Sequence, residues 1–187
     1  MPAFERIIIL GNNGSGKSHF ARELSAATGL PLIHLDAHYW GADWTEPSAE
    51  EWREKQAALV AGERWIIDGN HCGTLELRYR VADAVIFLDY SRLTCLMGLL
   101  RRHGKKRPDM PEGLQDRFNM DFFRFCRRMW AFPKTGRRTI LGLHEKYPDT
   151  PFFSVGSRGV LRNLLAERVR EHEPNLERNG AYHDEIV

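Results

Sequence analysis

The 187-residue chain lacks most of the features that would assign it to a specialised class. It has no run of about 18 uncharged apolar residues, which argues against a membrane-spanning helix. Glu5 and Arg6 interrupt the N-terminal segment where a secretory leader needs an unbroken apolar stretch, so the expected location is the cytoplasm. Cysteine is scarce: Cys72, Cys95 and Cys126 are odd in number and form no CxxC pair. That pattern suits reduced thiols better than a disulfide framework or a zinc site. No internal repeat or low-complexity segment is present, nor any Asn-Lys-x-Asp motif, which argues against a guanine-nucleotide switch.

At roughly 150 residues per domain the length predicts one domain. We place it over 1–172, with a polar tail over 173–187. The net charge of +2 conceals an asymmetry. Residues 1–90 hold 8 Lys and Arg against 13 Asp and Glu, whereas residues 101–138 hold 12 against 4. A negatively charged partner is expected for that second stretch.

The order of apolar runs is a strand–helix alternation, which predicts an α/β domain with a mostly parallel sheet. Strands are expected over 6–10, 31–36, 65–68, 84–89 and 151–155. Helices are expected over about 17–28, with Gly29 at its end, and from Ser48 to about 61, where Ser48 and Glu51 form a capping box. Others are expected over 92–103, over most of 114–147 with a break near Pro133, and over 158–172. The segment 104–113, rich in Lys, Arg, Pro and Gly, reads as a loop.

Gly11-Asn12-Asn13-Gly14-Ser15-Gly16-Lys17-Ser18 satisfies G-x-x-x-x-G-K-[ST] between an apolar strand and a helix. Four fixed positions coincide by chance only about 3–4 times in 100,000 windows at usual residue frequencies. The glycines let the main chain approach a phosphate, and successive N–H groups with the helix N-terminus grip it. Lys17 reaches the β- and γ-phosphates, and the Ser18 hydroxyl is a ligand for Mg²⁺. The expected ligands are therefore ATP and Mg²⁺, with residues 11–18 and the adjoining His19 on the nucleotide.

Asp36, Asp68 and Asp89 each end an expected strand, at the edge where open α/β sheets bind ligands. Asp68 closes the apolar run Trp65-Ile66-Ile67, the arrangement in which a carboxylate holds Mg²⁺. Asp36 stands where a small-molecule kinase orients or deprotonates the acceptor hydroxyl. Asp89 is the weakest of the three. His34, His38, Tyr39, Trp40 and Trp44, with Asn70 and His71, form either a substrate pocket or a loop packed by its own aromatics. Asp36, His38, Trp40, Asn70 and Arg78 are the candidate substrate residues. Arg101, Arg102, Lys105, Lys106, Arg107, Arg137 and Arg138 suit a lid that closes over transferring phosphoryl charge. A solvated basic face or a nucleic-acid surface uses the same residues.

Together these residues resemble the P-loop kinases related to adenylate kinase, and more closely the bacterial DNA topology modulation proteins. The resemblance rests on 11–18, on Leu32-Ile33-His34-Leu35-Asp36 with Trp40 downstream, and on Trp65-Ile66-Ile67-Asp68-Gly69-Asn70. It extends through Ala84-Val85-Ile86-Phe87-Leu88-Asp89 and Arg107-Pro108-Asp109-Met110-Pro111-Glu112-Gly113, over nearly all of 4–166. It implies a P-loop NTPase three-layer sandwich, a five-stranded parallel sheet in order 2-3-1-4-5, and a helical lid over about 101–138. It also implies Lys17 and Ser18 as phosphate and Mg²⁺ ligands, Asp68 as the Asp of a D-G element, and Arg101 and Arg107 as lid arginines. Arg137 or Arg138 is the returning lid arginine. Adenylate kinases follow D-G with Phe-Pro-Arg, whereas this chain has Asn70-His71-Cys72. The arginine that grips a monophosphate is absent there, and Arg78 is the nearest substitute. The function expected is an ATP- and Mg²⁺-dependent phosphotransferase acting on a small molecule, nucleoside or nucleotide. The alternative is a nucleotide-gated regulatory protein that binds DNA.

Overall fold

Five short apolar strands assemble into one all-parallel sheet in the order β2-β3-β1-β4-β5. They are β1 (Arg6–Gly11), β2 (Leu32–His34), β3 (Trp65–Asp68), β4 (Ala84–Leu88) and β5 (Phe152–Val155). The computed structural model describes residues 4–41, 45–102, 120–157 and 159. Every residue of β3 and β4 is buried, as uninterrupted apolar strands must be when helices cover both faces of a parallel sheet. Register fixes the central strands: Ile9 of β1 sits beside Asp68 of β3, and Gly11 beside Leu88 of β4.

Side-chain alternation sends Ile7 and Ile9 to one face and Ile8 and Leu10 to the other. On the first face they meet Phe20 and Leu24 of α1 (Lys17–Thr28), Leu99 of α5 (Arg92–Arg102) and Met129 of α6 (Met120–Ala131). On the second they meet Trp52 of α3 (Ala49–Val60), Tyr79 of α4 (Leu75–Tyr79) and Ile140 of α7 (Gly136–Lys146). The first residues of β1 are pinned by Asp83, whose carboxylate accepts from the Glu5 and Arg6 amides at 3.1 and 2.9 Å and from the Arg6 guanidinium at 2.7 Å. Burial pushes the Asp83 carboxyl up, but these donors outweigh it and hold it below the usual range.

The local signals act as read. Gly29 ends α1 in the left-handed conformation, its amide on the Ser25 carbonyl. Ser48 and Glu51 form both bonds of the capping box ahead of α3. The break at Pro133 is a 3-10 turn, Phe132–Lys134, between α6 and α7. All three cysteines are free thiols. Among the described residues no helix is long and apolar enough to cross a membrane.

Two elements depart from expectation: the helical segment Cys72–Thr74 and α4 was not anticipated, and the second strand is shorter than read. The strand read over 31–36 stops at His34, and Leu35–Tyr39 forms a helical turn, α2. The completely buried Leu35 turns beneath Gly69, with its Cβ 2.9 Å from where a Cβ on Gly69 would lie. Asp36 therefore lies in the first turn of a helix, where unpaired amides favour a carboxylate, and not at a strand end. The segment 104–113, the start of the 114–147 helical expectation up to 119, and 158–172 apart from Gly159 lie outside the described residues, as does the tail over 173–187.

Candidate active site

The loop between β1 and α1 is shaped for an anion. Gly16 caps α1 without a side-chain hydrogen bond, and no acidic residue stands in the first turn of that helix. The Ser15 hydroxyl is buried inside the loop with no hydrogen-bond partner among the described residues. Lys17 is buried and Ser18 half-buried at the head of the helix.

Side chains from elsewhere hold this loop in place. Asn70, just past β3, grips Gly11 from both ends of its amide: Oδ1 accepts from the Gly11 N–H at 3.1 Å, and Nδ2 donates to the Gly11 carbonyl at 2.8 Å. Buried Asn12 donates through Nδ2 to the Met129 carbonyl of α6 at 2.9 Å, and its Oδ1 accepts from the Asn13 amide at 2.8 Å. Gly14 has φ 82°, and a Cβ there would come within 2.1 Å of the Cys95 carbonyl of α5. A Cβ on Gly98 would in turn lie 2.0 Å from the Gly14 carbonyl oxygen. Loop and helix therefore touch backbone to backbone, and only glycine fits on either side.

Beyond the loop, two carboxylates each meet a histidine. Asp68, buried at the end of β3, has Oδ1 2.7 Å from Nδ1 of His34, its register partner on β2. Asp36 has Oδ1 3.1 Å from Nε2 of His71. The His71 backbone is left-handed, with φ 34°, and its ring packs against both Tyr39 and Trp52 at centroid distances of 4.7 and 4.8 Å, the three rings in mutual contact. A non-glycine residue held in this region costs of order 1–3 kcal/mol, which the packed rings and the loop's hydrogen bonds must offset. Trp40 stacks edge-on against Tyr39 at 4.9 Å. His38 is half-buried, and burial, then the nearby Lys55 ammonium, hold its imidazole below the usual range. The histidines and rings thus pack on one another and on the carboxylates, and sequence alone does not separate this packing from a pocket.

Arg78 requires a correction. It is completely buried, and its guanidinium donates to the chain's own carbonyls: Gly69 at 2.7 Å, Asn70, and His71 at 3.4 Å. Burial pulls its pKa down to about 9. It organises the 69–71 turn from behind, its terminal nitrogens on those carbonyls. Asn70 likewise directs its amide at Gly11, away from the substrate position expected of it. His19 is exposed and pairs with Glu23 one turn along at 3.5 Å, outside the phosphate loop.

Of the two candidate returning arginines, Arg137 is held by Asp89, with Nε 3.0 Å from both carboxylate oxygens and Nη2 2.9 Å from Oδ2, while Arg138 is exposed. Arg101 is exposed on α5. Arg107 lies outside the described residues, as do Trp44, Lys105 and Lys106. Sequence reasoning missed Gly98, although an isolated glycine inside a helical pattern costs about 1 kcal/mol against alanine and so marks a packing constraint. It placed His71 in the pocket-or-packing cluster but did not foresee its left-handed backbone, which nothing in the sequence announces.

No known family pattern matches the chain, and no curated protein does. Solved structures do. A shikimate kinase from Acinetobacter baumannii, in complex with shikimate, superposes with a TM-score of 0.56 at 14% identity, covering 90% of this chain and 93% of that one. A gluconokinase from Sinorhizobium meliloti superposes with a TM-score of 0.53 at 15% identity, covering 89% and 90%. At such identities the likeness is one of fold. The chain has the α/β P-loop NTPase fold in its five-stranded 2-3-1-4-5 form.

Proposed function

We propose that this protein is a P-loop kinase that transfers the γ-phosphoryl group of ATP to a hydroxyl of a small molecule. The observation that carries the reading is the glycine-capped, acid-free N-terminus of α1 behind the 11–18 loop, directly beside a strand that ends in buried Asp68. The amides of that loop and the Lys17 ammonium neutralise charge on the β- and γ-phosphates. The Ser15 hydroxyl, buried and without a hydrogen-bond partner among the described residues, is a further donor within the loop.

Magnesium fits the donor set, one hydroxyl from Ser18 and one carboxylate from Asp68, because Mg²⁺ prefers hard oxygens and takes the rest of its shell from phosphates and water. Among the described residues no group of three or more His, Cys, Asp or Glu gathers to hold a metal, so such an ion depends on the triphosphate for its remaining ligands. When bound, it draws charge from the phosphoryl oxygens. His34 orients the Asp68 carboxylate.

On the acceptor side, Asp36 takes the proton of the attacking hydroxyl. The oxygen of that hydroxyl forms the new bond to the γ-phosphorus. The bond from that phosphorus to the β,γ-bridging oxygen breaks, and its electron pair stays on ADP. His71 fixes the Asp36 carboxylate through its bond to Oδ1. Arg101, Arg107 and Arg137 or Arg138 supply positive charge to the transferring group. The DNA-binding alternative rests on the basic stretch alone, and no described contact favours it.

The test is a coupled assay for ADP release across a panel of metabolite alcohols. Lys17→Ala is expected to weaken triphosphate binding at least tenfold in calorimetry. Asp36→Ala is expected to abolish acceptor-dependent turnover while binding persists. Wild-type protein that binds no purine triphosphate with magnesium present would refute the reading.

A further inference from the structure

Asp89 follows β4 with a carboxylate that the transfer steps above leave without a task. Its amide donates to the Phe87 and Val155 carbonyls at 3.1 and 3.0 Å, which fixes its backbone to the end of the sheet. Leu88, just before it, is the register partner of Gly11, and a Cβ on Gly11 would lie 3.0 Å from the Leu88 carbonyl oxygen. The peptide that carries Asp89 therefore abuts the first residue of the 11–18 loop. Burial pushes the Cys95 thiol of α5 up to about 11, while the Lys17 ammonium lowers it and the Asp89 carboxylate raises it, so both charges act on one sulfur.

α7 brings a guanidinium to the same place. The Arg137 pair with Asp89 is made side-on, through Nε and Nη2, and Nη1 takes no part in it. The Arg137 side chain is 41% exposed, so the pair is not sealed in the core. A guanidinium carries its N–H donors in a planar fork, and one gripped along an edge keeps the others for a second anion. Its rotamer freedom is lost on folding and is not lost again when a ligand arrives. The Asp89 charge also repels phosphate and offsets part of the attraction, so what this carboxylate contributes is orientation.

We propose that Asp89 is a positioning residue for the phosphoryl transfer, holding Arg137 beside the 11–18 loop so that its remaining N–H donors meet the γ-phosphoryl oxygens. The assignment rests on the phosphotransferase reading and makes Arg137 the group that touches the transferring phosphoryl. A clasp that merely fastened α7 to the sheet would stabilise the fold without distinguishing one nucleotide from another.

The test is calorimetry on the full-length chain with Mg²⁺, titrated with ADP and with the non-hydrolysable triphosphate AMPPNP. Wild type, Asp89→Asn, Arg137→Ala and the double variant are compared, and ADP binding reports in each sample that the loop is folded. Charge-assisted hydrogen bonds of this kind predict that Arg137→Ala weakens AMPPNP binding about tenfold and Asp89→Asn about fivefold, with ADP changed less than about twofold. In the Arg137→Ala background, Asp89→Asn is expected to leave AMPPNP binding unchanged or to tighten it, because only the repulsion then remains. Equal losses for ADP and AMPPNP, or a lower Tm with normal affinities, reduce the pair to a clasp and overturn the proposal. Unchanged or tighter AMPPNP binding in either single variant overturns it too, as does an Asp89→Asn loss that persists without Arg137. Each of these failures leaves the phosphotransferase reading standing, whereas wild-type protein that binds no AMPPNP sinks both together.

Discussion

Gly98→Ala tests the mechanical premise of the site, that α5 braces the phosphate loop at backbone contact. In an ordinary helix interior this substitution stabilises by about 1 kcal/mol, because alanine restricts the unfolded chain and favours the helix. At position 98 the new methyl would stand 2.0 Å from the Gly14 carbonyl oxygen, against the roughly 3.0 Å below which real contacts essentially never fall. Loop and helix must therefore separate by about 1 Å, and no flexible side chain can yield in their place. Overpacking of this kind costs about 1–3 kcal/mol. Setting the two effects together gives a net loss near 1 kcal/mol, or a Tm lower by about 2–4 °C for a chain of this size. On the proposed function, a 1 Å displacement of the loop amides should also weaken ATP binding by about tenfold or more. Gly142→Ala is the control. It lies in the interior of α7, exposed, with nothing within 4 Å of its Cβ position, and should raise Tm by about 2–4 °C with unchanged affinity. Thermal denaturation and calorimetry on both variants decide the matter. A Gly98→Ala protein that gains stability like Gly142→Ala and binds ATP normally would refute the bracing argument.

Three further outcomes follow from contacts described above. Asn70→Ala removes both bonds to Gly11 and should lower stability by about 1–2 kcal/mol in urea titration, with a parallel fall in triphosphate affinity. Arg78→Lys cannot serve two carbonyls in the same fork and should cost about 3 kcal/mol, read from the urea midpoint; a loss under about 0.5 kcal/mol would show that the turn does not need it. Asp83 has its folded-state pKa depressed, so its contribution is fully present above the unfolded value near 3.9 and disappears as pH falls through the lower folded value. Asp83→Asn should accordingly destabilise the chain by about 1 kcal/mol at pH 7 and by much less near pH 3, and equal losses at both pH values would contradict that account.

The sheet was legible in the sequence because the strands of a parallel, doubly covered sheet have to be continuous apolar runs, and Trp65-Ile66-Ile67-Asp68 can do little else. The glycine-rich loop between β1 and α1 was legible because its glycines are local requirements of one turn. What was hidden is the direction taken by polar side chains. Asn70 and Arg78 look like substrate residues when read along the chain. Whether an amide or a guanidinium faces a ligand or a carbonyl depends on which backbone the topology brings beside it, and Gly11 is 59 residues from Asn70. Asp36 was misread as a strand end because Leu35 continues the apolar pattern of β2, although its burial beneath Gly69 belongs to a helical turn. The 101–107 arginines are readable as a charge cluster, and Arg107 lies outside the described residues.

The inward commitment of Arg78 bears on how freely this part of the fold can be altered. Recovering that guanidinium for any other partner would strip the turn of its internal support, so a cation wanted here has to be imported from a new position. Gly73, exposed two residues beyond His71 and with nothing within 4 Å of its Cβ position, is one place where a side chain can be added without displacing a neighbour.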